Sequence, residues 1–269
     1  MKRLQLPKSD PFRVFVQIAK AMRDSARRDY LLDPGTQTSI RRAFKKYRQS
    51  APELHNLRPI VLSSSCRKAL RESYSYSQAD VADFNRYLLA QIAGKMCFYC
   101  RSKRASSLDH VLPRETLPEY SLCIENLVPA CNSCNSGKGT KVKLEGDRCF
   151  FYAFKDKFPS GRWVFARVKG NRIKFSSRVS NCGSARVQAV LDRQIRQLKL
   201  LKRFERNFTD VGWSEVRERA GTNLGKLKRV LKRLAKSSRK EHGPNNYHAV
   251  LFEALSKADT AFLKAGLTS

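Results

Sequence analysis

The sequence predicts an α+β fold, mostly helical, with one small module of paired cysteines embedded between basic helical extensions. Three observations predict it. Cys97 and Cys100 in "CFYC" and Cys131 and Cys134 in "CNSC" repeat one short spacing. On both sides of them, apolar residues recur at the period of an α-helix. Lys and Arg number 54 against 23 Asp and Glu, a formal net charge of +31. Hydrophobic residues make up 41% of the 269 positions, so the chain can bury a core. A charge of this size implies a polyanionic partner, with nucleic acid ahead of an acidic membrane surface.

Residues 1–94 read as a basic helical region. The opening has no apolar signal core, and no run approaches the roughly 18 apolar residues of a membrane span, so a cytoplasmic protein without membrane contact is expected. Ser9 or Asp10 is a candidate N-cap, Pro11 suits a first turn, and Phe12, Phe15, Val16, Ala19 and Met22 keep helical spacing. The alternation of Phe12, Val14, Val16 and Ile18 also permits a short strand. Asp33 to Gly35 breaks the pattern, and a further helix is expected from Gln78 to about Gly94.

Residues 95–145 form the expected module. Each C-x2-C pair can turn two thiolates to one point, and two pairs complete the tetrahedral sulfur shell of a structural zinc. Such an ion has no open position and cannot activate water. The alternative is four buried thiols, since free cysteine behaves as a small hydrophobe. That description suits Cys66, Cys123, Cys149 and Cys182 better, because they lack partners at short spacing. "SSLDHVLP" and "ENLVPACNSCNSGKG" lie between and across the pairs, so closing the knuckle brings Asp109 and His110 near Asn126, Asn135 and Lys138. "NLVPA" reads as a buried strand.

Residues 146–183 contain two β-rich runs around Lys169, Gly170 and Asn171, which predict a hairpin that either extends the module's small sheet or lies along DNA. Residues 184–269 return to helical periodicity. Val187, Leu191, Ile195 and Leu198 share one face, with Arg193, Arg196, Lys199, Lys202 and Arg203 around the rest. Gly221 and Gly225 interrupt the next stretch, whose basic part runs from Lys226 to Lys240 and includes Lys228, Arg229, Lys232 and Arg233. Val250, Leu251, Ala254, Leu255, Ala258 and Phe262 predict one last helix, expected to pack onto the N-terminal one.

The run C-x2-C, DH-x2-P, NLVPAC-x2-CN-x2-K over Cys97 to Lys138 resembles the HNH endonuclease family. "LPEYS" and "AVLFEALSKAD" resemble segments of larger bacterial members with helical flanks. The resemblance implies a ββα-metal fold of two short strands and a helix around one divalent ion. It implies that His110 is the general base, a role that an imidazole suits near neutral pH. It also implies that Asp109 and Asn135 ligate the catalytic ion and that Asn126 orients His110. Family members often carry histidine where Asn135 stands; the asparagine leaves an oxygen-only shell that favours magnesium or manganese. Lys138 is either a phosphate contact or a solvated surface group. A role in bacterial anti-phage defence, beside a regulatory partner such as an ATPase, is a further implication of the resemblance alone.

Charge is distributed unevenly. Residues 1–96 carry 19 Lys and Arg against 8 Asp and Glu, residues 97–139 carry 5 against 4, residues 140–185 carry 11 against 3, and residues 186–269 carry 19 against 8. The nearly neutral module would then cut while Arg193, Arg196, Lys199, Arg203, Lys228, Arg229, Lys232 and Arg233 grip phosphates. Two functions follow: a metal-dependent endonuclease acting on DNA, with RNA also open, or a zinc-stabilised nucleic-acid-binding module without catalysis. Asp109, His110 and Asn135 discriminate them, because binding alone needs none of the three.

Overall fold

Three aspartates start the first three helices. Asp10 accepts from the Phe12 N–H at 3.0 Å, Asp24 from Arg27 at 3.0 Å and Asp33 from Thr36 at 2.7 Å. They open α1 (Pro11–Lys20), α2 (Ser25–Leu32) and α3 (Pro34–Ser50). The structure, a computed structural model, describes residues 3–6, 8–74, 79–91, 95–159, 161–180 and 182–268. Helices dominate it, with three separate two-stranded antiparallel sheets among the described residues.

The chain divides into two compact units, Met1–Tyr99 with Arg104–Phe158 and Cys100–Lys103 with Pro159–Ser269. In the first, α1 buries Phe12, Phe15, Ile18 and Ala19, so the helical reading of this stretch holds and the strand alternative falls. Asp10 with Pro11 at the first turn decides that choice locally. The break at Asp33 is a junction without a loop, since Asp33 ends α2 and caps α3. α4 (Ser64–Ser73) is capped by Ser63, and α5 (Ala79–Ala90) follows; the expected helix ends at Gln78 and Gly94 lie outside the described residues. α3 carries Tyr47, fully buried, toward the module.

The module itself is short. β1 (Ser107–His110) pairs antiparallel with β2 (Leu127–Ala130), placing Asp109 opposite Val128 and His110 opposite Leu127. All four residues of β2 are buried, as the apolar run predicts. α6 (Asn132–Lys138) follows immediately, so the order is strand, strand, helix. A small hairpin, β3 (Lys143–Leu144) with β4 (Asp147–Arg148), comes next.

In the second unit β5 (Val164–Lys169) and β6 (Arg172–Ser177) form the predicted hairpin around Gly170, at φ +58, and Asn171. It makes its own sheet and does not extend that of β1 and β2. Asn245 holds it: its Oδ1 accepts from Trp163 and Val164 N–H at 2.7 and 3.1 Å, and its Nδ2 donates to Gly161 O at 2.8 Å. α7 (Ala185–Gln197), α8 (Leu200–Ala220), α9 (Leu224–His242), α10 (Tyr247–Ser256) and α11 (Thr260–Thr268) complete the unit. Gly221 ends α8 at φ +67, whereas Gly225 lies inside the first turn of α9 and interrupts nothing. The single last helix expected from the sequence is two, divided at Lys257–Asp259. α10 packs against α9 and β5. Among the described residues no helix is long and apolar enough to cross a membrane.

Candidate active site

The cysteine knuckle is built by tight turns. Lys95 and Arg101 flank the first pair in left-handed conformation, at φ +53 and +56, and Phe98 N–H donates to Pro129 O at 2.9 Å, tying the pair to β2. The second pair straddles the start of α6, where Cys134 N–H donates to Cys131 O at 2.9 Å. The four sulfur atoms of Cys97, Cys100, Cys131 and Cys134 are buried and lie within 4.8 Å of one another. A tetrahedral ion with zinc–sulfur bonds of about 2.3 Å separates its sulfurs by roughly 3.8 Å, so the cluster fits zinc in number, donor type and spacing. Cys66, Cys123, Cys149 and Cys182 are buried singly elsewhere, and burial pushes the Cys66, Cys123 and Cys182 thiols up, as suits inert packing groups.

Strand alternation then sorts the chemistry of β1. Ser107 and Asp109 share one face and His110 takes the other. α6 lies over the Ser107 and Asp109 face. Asn135 donates to Ser107 Oγ at 3.3 Å, and one turn later Lys138 Nζ stands 3.3 Å from Asp109 Oδ2. Tyr99, between the first two cysteines, donates its hydroxyl to the same Oδ2 at 2.6 Å. Burial raises the Asp109 carboxyl, and Lys138 with Tyr99 pulls it back toward the charged form. Asp109 and Asn135 thus lie on the same side of the module, an oxygen-bearing pair of the type that hard divalent cations take, with Asp109 Oδ2 already held by Tyr99 and Lys138.

Lys138 differs from either expectation for it. It is 1% exposed, and besides Asp109 it donates to His110 O at 2.6 Å, so it is a buried partner of the site and faces neither a phosphate nor solvent. The sequence hid this because lysine is almost never fully buried without a paired charge, and the pair is formed only when α6 folds onto β1.

His110 points to the opposite side. Its Nε2 lies 2.9 Å from Ser121 O. A carbonyl only accepts, so Nε2 carries the hydrogen and Nδ1 keeps the lone pair. Burial lowers the imidazole to about 4, which leaves it neutral near pH 7. The Tyr74 ring packs edge-on against it with centroids 4.4 Å apart.

Asn126 bonds to the turn that follows His110 and not to its ring. It is fully buried; its Oδ1 accepts from Leu112 N–H at 2.7 Å, and its Nδ2 donates to Leu112 O at 2.9 Å and Tyr120 O at 3.2 Å. Val111 N–H donates to Asn126 O at 2.8 Å. Its side chain thus pins the turn that follows His110 and leaves the ring to Ser121. Tyr47 donates toward Asn126 Oδ1 and Glu125 O, each at 3.2 Å, and Arg48 grips Glu125 Oε1 through Nε and a terminal nitrogen at 2.7 and 2.6 Å. Sequence reasoning missed Tyr99, Ser121, Tyr47 and Arg48. Only Tyr99, inside the C-x2-C spacing, left a signal.

The basic candidates of the second unit divide by setting. On α9, Arg229, Lys232 and Arg233 are exposed and Lys228 half-buried, opposite buried Leu227, Leu231 and Ala235. Arg196 is exposed but pairs with Asp192 at 2.8 Å, Arg193 is half-buried, and Arg203 donates to Leu198 O at 3.3 Å. Lys199 sits exposed at the α7–α8 junction, at φ +49.

Residues 97–141 match the family model of HNH endonuclease. The chain is also similar to protein ea31 of Escherichia phage lambda, 33% identical over 78 residues that cover 28% of this chain and 26% of that protein. The match thus spans about a quarter of the length of that relative. No solved structure matches the chain.

Proposed function

We propose that the chain is a divalent-metal-dependent endonuclease that hydrolyses phosphodiester bonds of DNA, using an HNH module stapled by zinc. The observation that carries this reading is the division of labour on β1, with Asp109 turned to α6 and His110 held by Ser121 on the other face. Nucleic-acid binding alone requires neither Asp109 nor His110 in these places.

His110 Nδ1 takes the proton of the attacking water while Nε2–H stays on Ser121 O, which steadies the imidazolium as it forms. Asn126 holds the turn after His110, and Tyr99 with Lys138 keeps the Asp109 carboxylate charged and aimed. Asp109 and Asn135 would hold magnesium or manganese. When bound, that ion polarises the scissile phosphate and stabilises the departing 3′ oxygen. Basic residues of α9, Arg229, Lys232 and Arg233 first, would hold the backbone without reading bases. An anti-phage role beside an ATPase belongs to the same proposal and is supported by family likeness alone.

The test is supercoiled plasmid incubated with zinc-loaded protein, with and without magnesium or manganese, beside His110→Ala. Metal-dependent nicking or linearisation, lost in the variant at equal zinc content, is the expected result. A plasmid bound but intact under both metals would instead support the binding-only reading.

A further inference from the structure

The second unit contains a concavity of about 720 Å³ lined by the hairpin β5–β6 and by α8. Its rim is basic. Arg172 and Lys174, two apart on β6, are exposed, while Ile173 and Phe175 turn inward. Lys202 and Arg206, four apart on α8, are exposed in the same lining, and Trp213 falls close to their stripe on the helical wheel. Among the described residues Glu205 is the one carboxylate of the lining, and it is partly spent on the hairpin, accepting from Phe175 N–H at 3.2 Å with Lys174 Nζ at 3.4 Å.

The aromatic part of the lining is Phe208 and Trp213, edge to face with centroids 5.5 Å apart. Close glycines seat both rings. A Cβ at Gly212 would lie 2.1 Å from the Phe208 ring, and one at Gly266 would lie 1.8 Å from Trp213, so side chains larger than hydrogen are incompatible with this packing. Phe262 supports Trp213 from α11 at 5.3 Å, and the indole remains partly exposed. An indole fixed by backbone contact and left open on the concave side offers a rigid flat surface.

Among the described residues of the lining, four cations stand against one engaged carboxylate, which favours a polyanion, and the rings favour a ligand with flat π faces. An acidic peptide meets only the first condition. Duplex DNA meets the first and hides its base faces in the stack. An unpaired stretch of nucleic acid meets both, because every base can stack on an aromatic ring while its phosphates lie along cations. The volume falls within the range of roughly 300–1,000 Å³ typical of small-ligand sites, which suits one or two nucleotides and not a double helix.

We infer that this groove, built by Arg172, Lys174, Lys202, Arg206, Phe208 and Trp213, binds single-stranded nucleic acid by stacking bases on Trp213. Hydrolysis at His110 is not required for it, so it stands equally for a nuclease and for a binding module.

The test uses the full zinc-loaded chain without magnesium or manganese, which separates binding from cleavage. Trp163, the second tryptophan, is fully buried, so a change in indole emission reports on Trp213. A 15-nucleotide oligothymidylate should quench emission saturably and more tightly than a duplex of equal length. Trp213→Phe should abolish the quench, and Trp213→Ala should lower affinity about fivefold or more by fluorescence anisotropy, the low end for one stacked base. The exposed pair Lys202→Glu and Arg206→Glu should weaken oligothymidylate binding at least tenfold while the far-ultraviolet spectrum and melting temperature match wild type. The inference is overturned if the duplex or a polyglutamate peptide quenches equally well, if oligothymidylate leaves the emission unchanged, or if the charge-reversed protein binds like wild type.

Discussion

Tyr99 donates its hydroxyl to Asp109 Oδ2 at 2.6 Å, so a residue inside the cysteine knuckle directly holds the carboxylate proposed to bind the catalytic ion. The bond joins two centres with different chemistry. Thiolates gather the knuckle, and the turn they impose aims Tyr99 at β1. Tyr99→Phe removes only the hydroxyl. A hydrogen bond to a charged group contributes about 1.5–3 kcal/mol, so the magnesium concentration giving half-maximal plasmid nicking should rise about tenfold or more. Zinc content should stay at one ion per chain by elemental analysis. A variant with wild-type metal dependence would show that Asp109 needs no help from the knuckle.

Lys138→Met tests whether the buried lysine is structural. Removing one member of a buried pair leaves the other charge uncompensated, at a cost of about 3–5 kcal/mol. Here the stranded groups are the Asp109 carboxylate and the His110 carbonyl. Urea unfolding followed by circular dichroism should show a loss of that order, and Asp109→Asn added to Lys138→Met should recover part of it. A phosphate-contacting lysine gives the opposite pattern, with unchanged stability and weaker DNA binding.

Much of this arrangement was legible beforehand, and the parts that were not share a cause. The cysteine pairs, the Asp109–His110 step, the buried β2 and the hairpin at Gly170 are local patterns, where spacing alone carries the geometry. Asp10 and Pro11 pointed to α1, while the alternation of Phe12, Val14, Val16 and Ile18 left a strand open that the structure excludes. The task of Lys138 escaped because it depends on where α6 lands on β1, which no local spacing encodes. Asn126 was identified with an aim at His110, but its bonds reach Leu112 and Tyr120, a detail of turn geometry. The final helix was read as one because Ala258 and Phe262 keep the apolar period of α10 across the Lys257–Asp259 break.

Zinc removal should unfold the module and not merely silence it. Two two-stranded sheets and a seven-residue helix cannot bury enough surface alone, so the ion's binding energy is folding energy there. Cys134→Ser, or a strong chelator, should abolish plasmid nicking and lower the melting temperature by about 5 °C or more, given roughly 2–4 °C per kcal/mol in a chain of this size. Zinc added back to the chelated wild type should restore both. Recovery of activity with magnesium alone would contradict a structural role for the knuckle.

Glu119 is a buried carboxylate outside the proposed chemistry, and its pH dependence has a definite sign. Its Oε1 accepts from Ile60 N–H at 2.9 Å, and burial raises its carboxyl above the usual value. A raised folded-state value means that the native protein resists ionising this group. Below the unfolded-state value, about 4.3, both states hold the proton and nothing is lost. As pH rises through the folded-state value, the unfolded chain ionises freely while the native chain does so at a cost, and stability falls. Glu119→Gln keeps the Oε1 acceptor and removes the charge. The variant should therefore be more stable than wild type near pH 7.5, by about 1 kcal/mol, the scale of one buried polar group. The gain should shrink as pH falls toward 4.5, because wild type recovers the neutral carboxyl there. Paired melting curves across that range measure the difference directly, and other titrating groups cancel between the two proteins. A gain that grew with acid would mean that Glu119 is stabilised as an anion, with Arg67 outweighing burial.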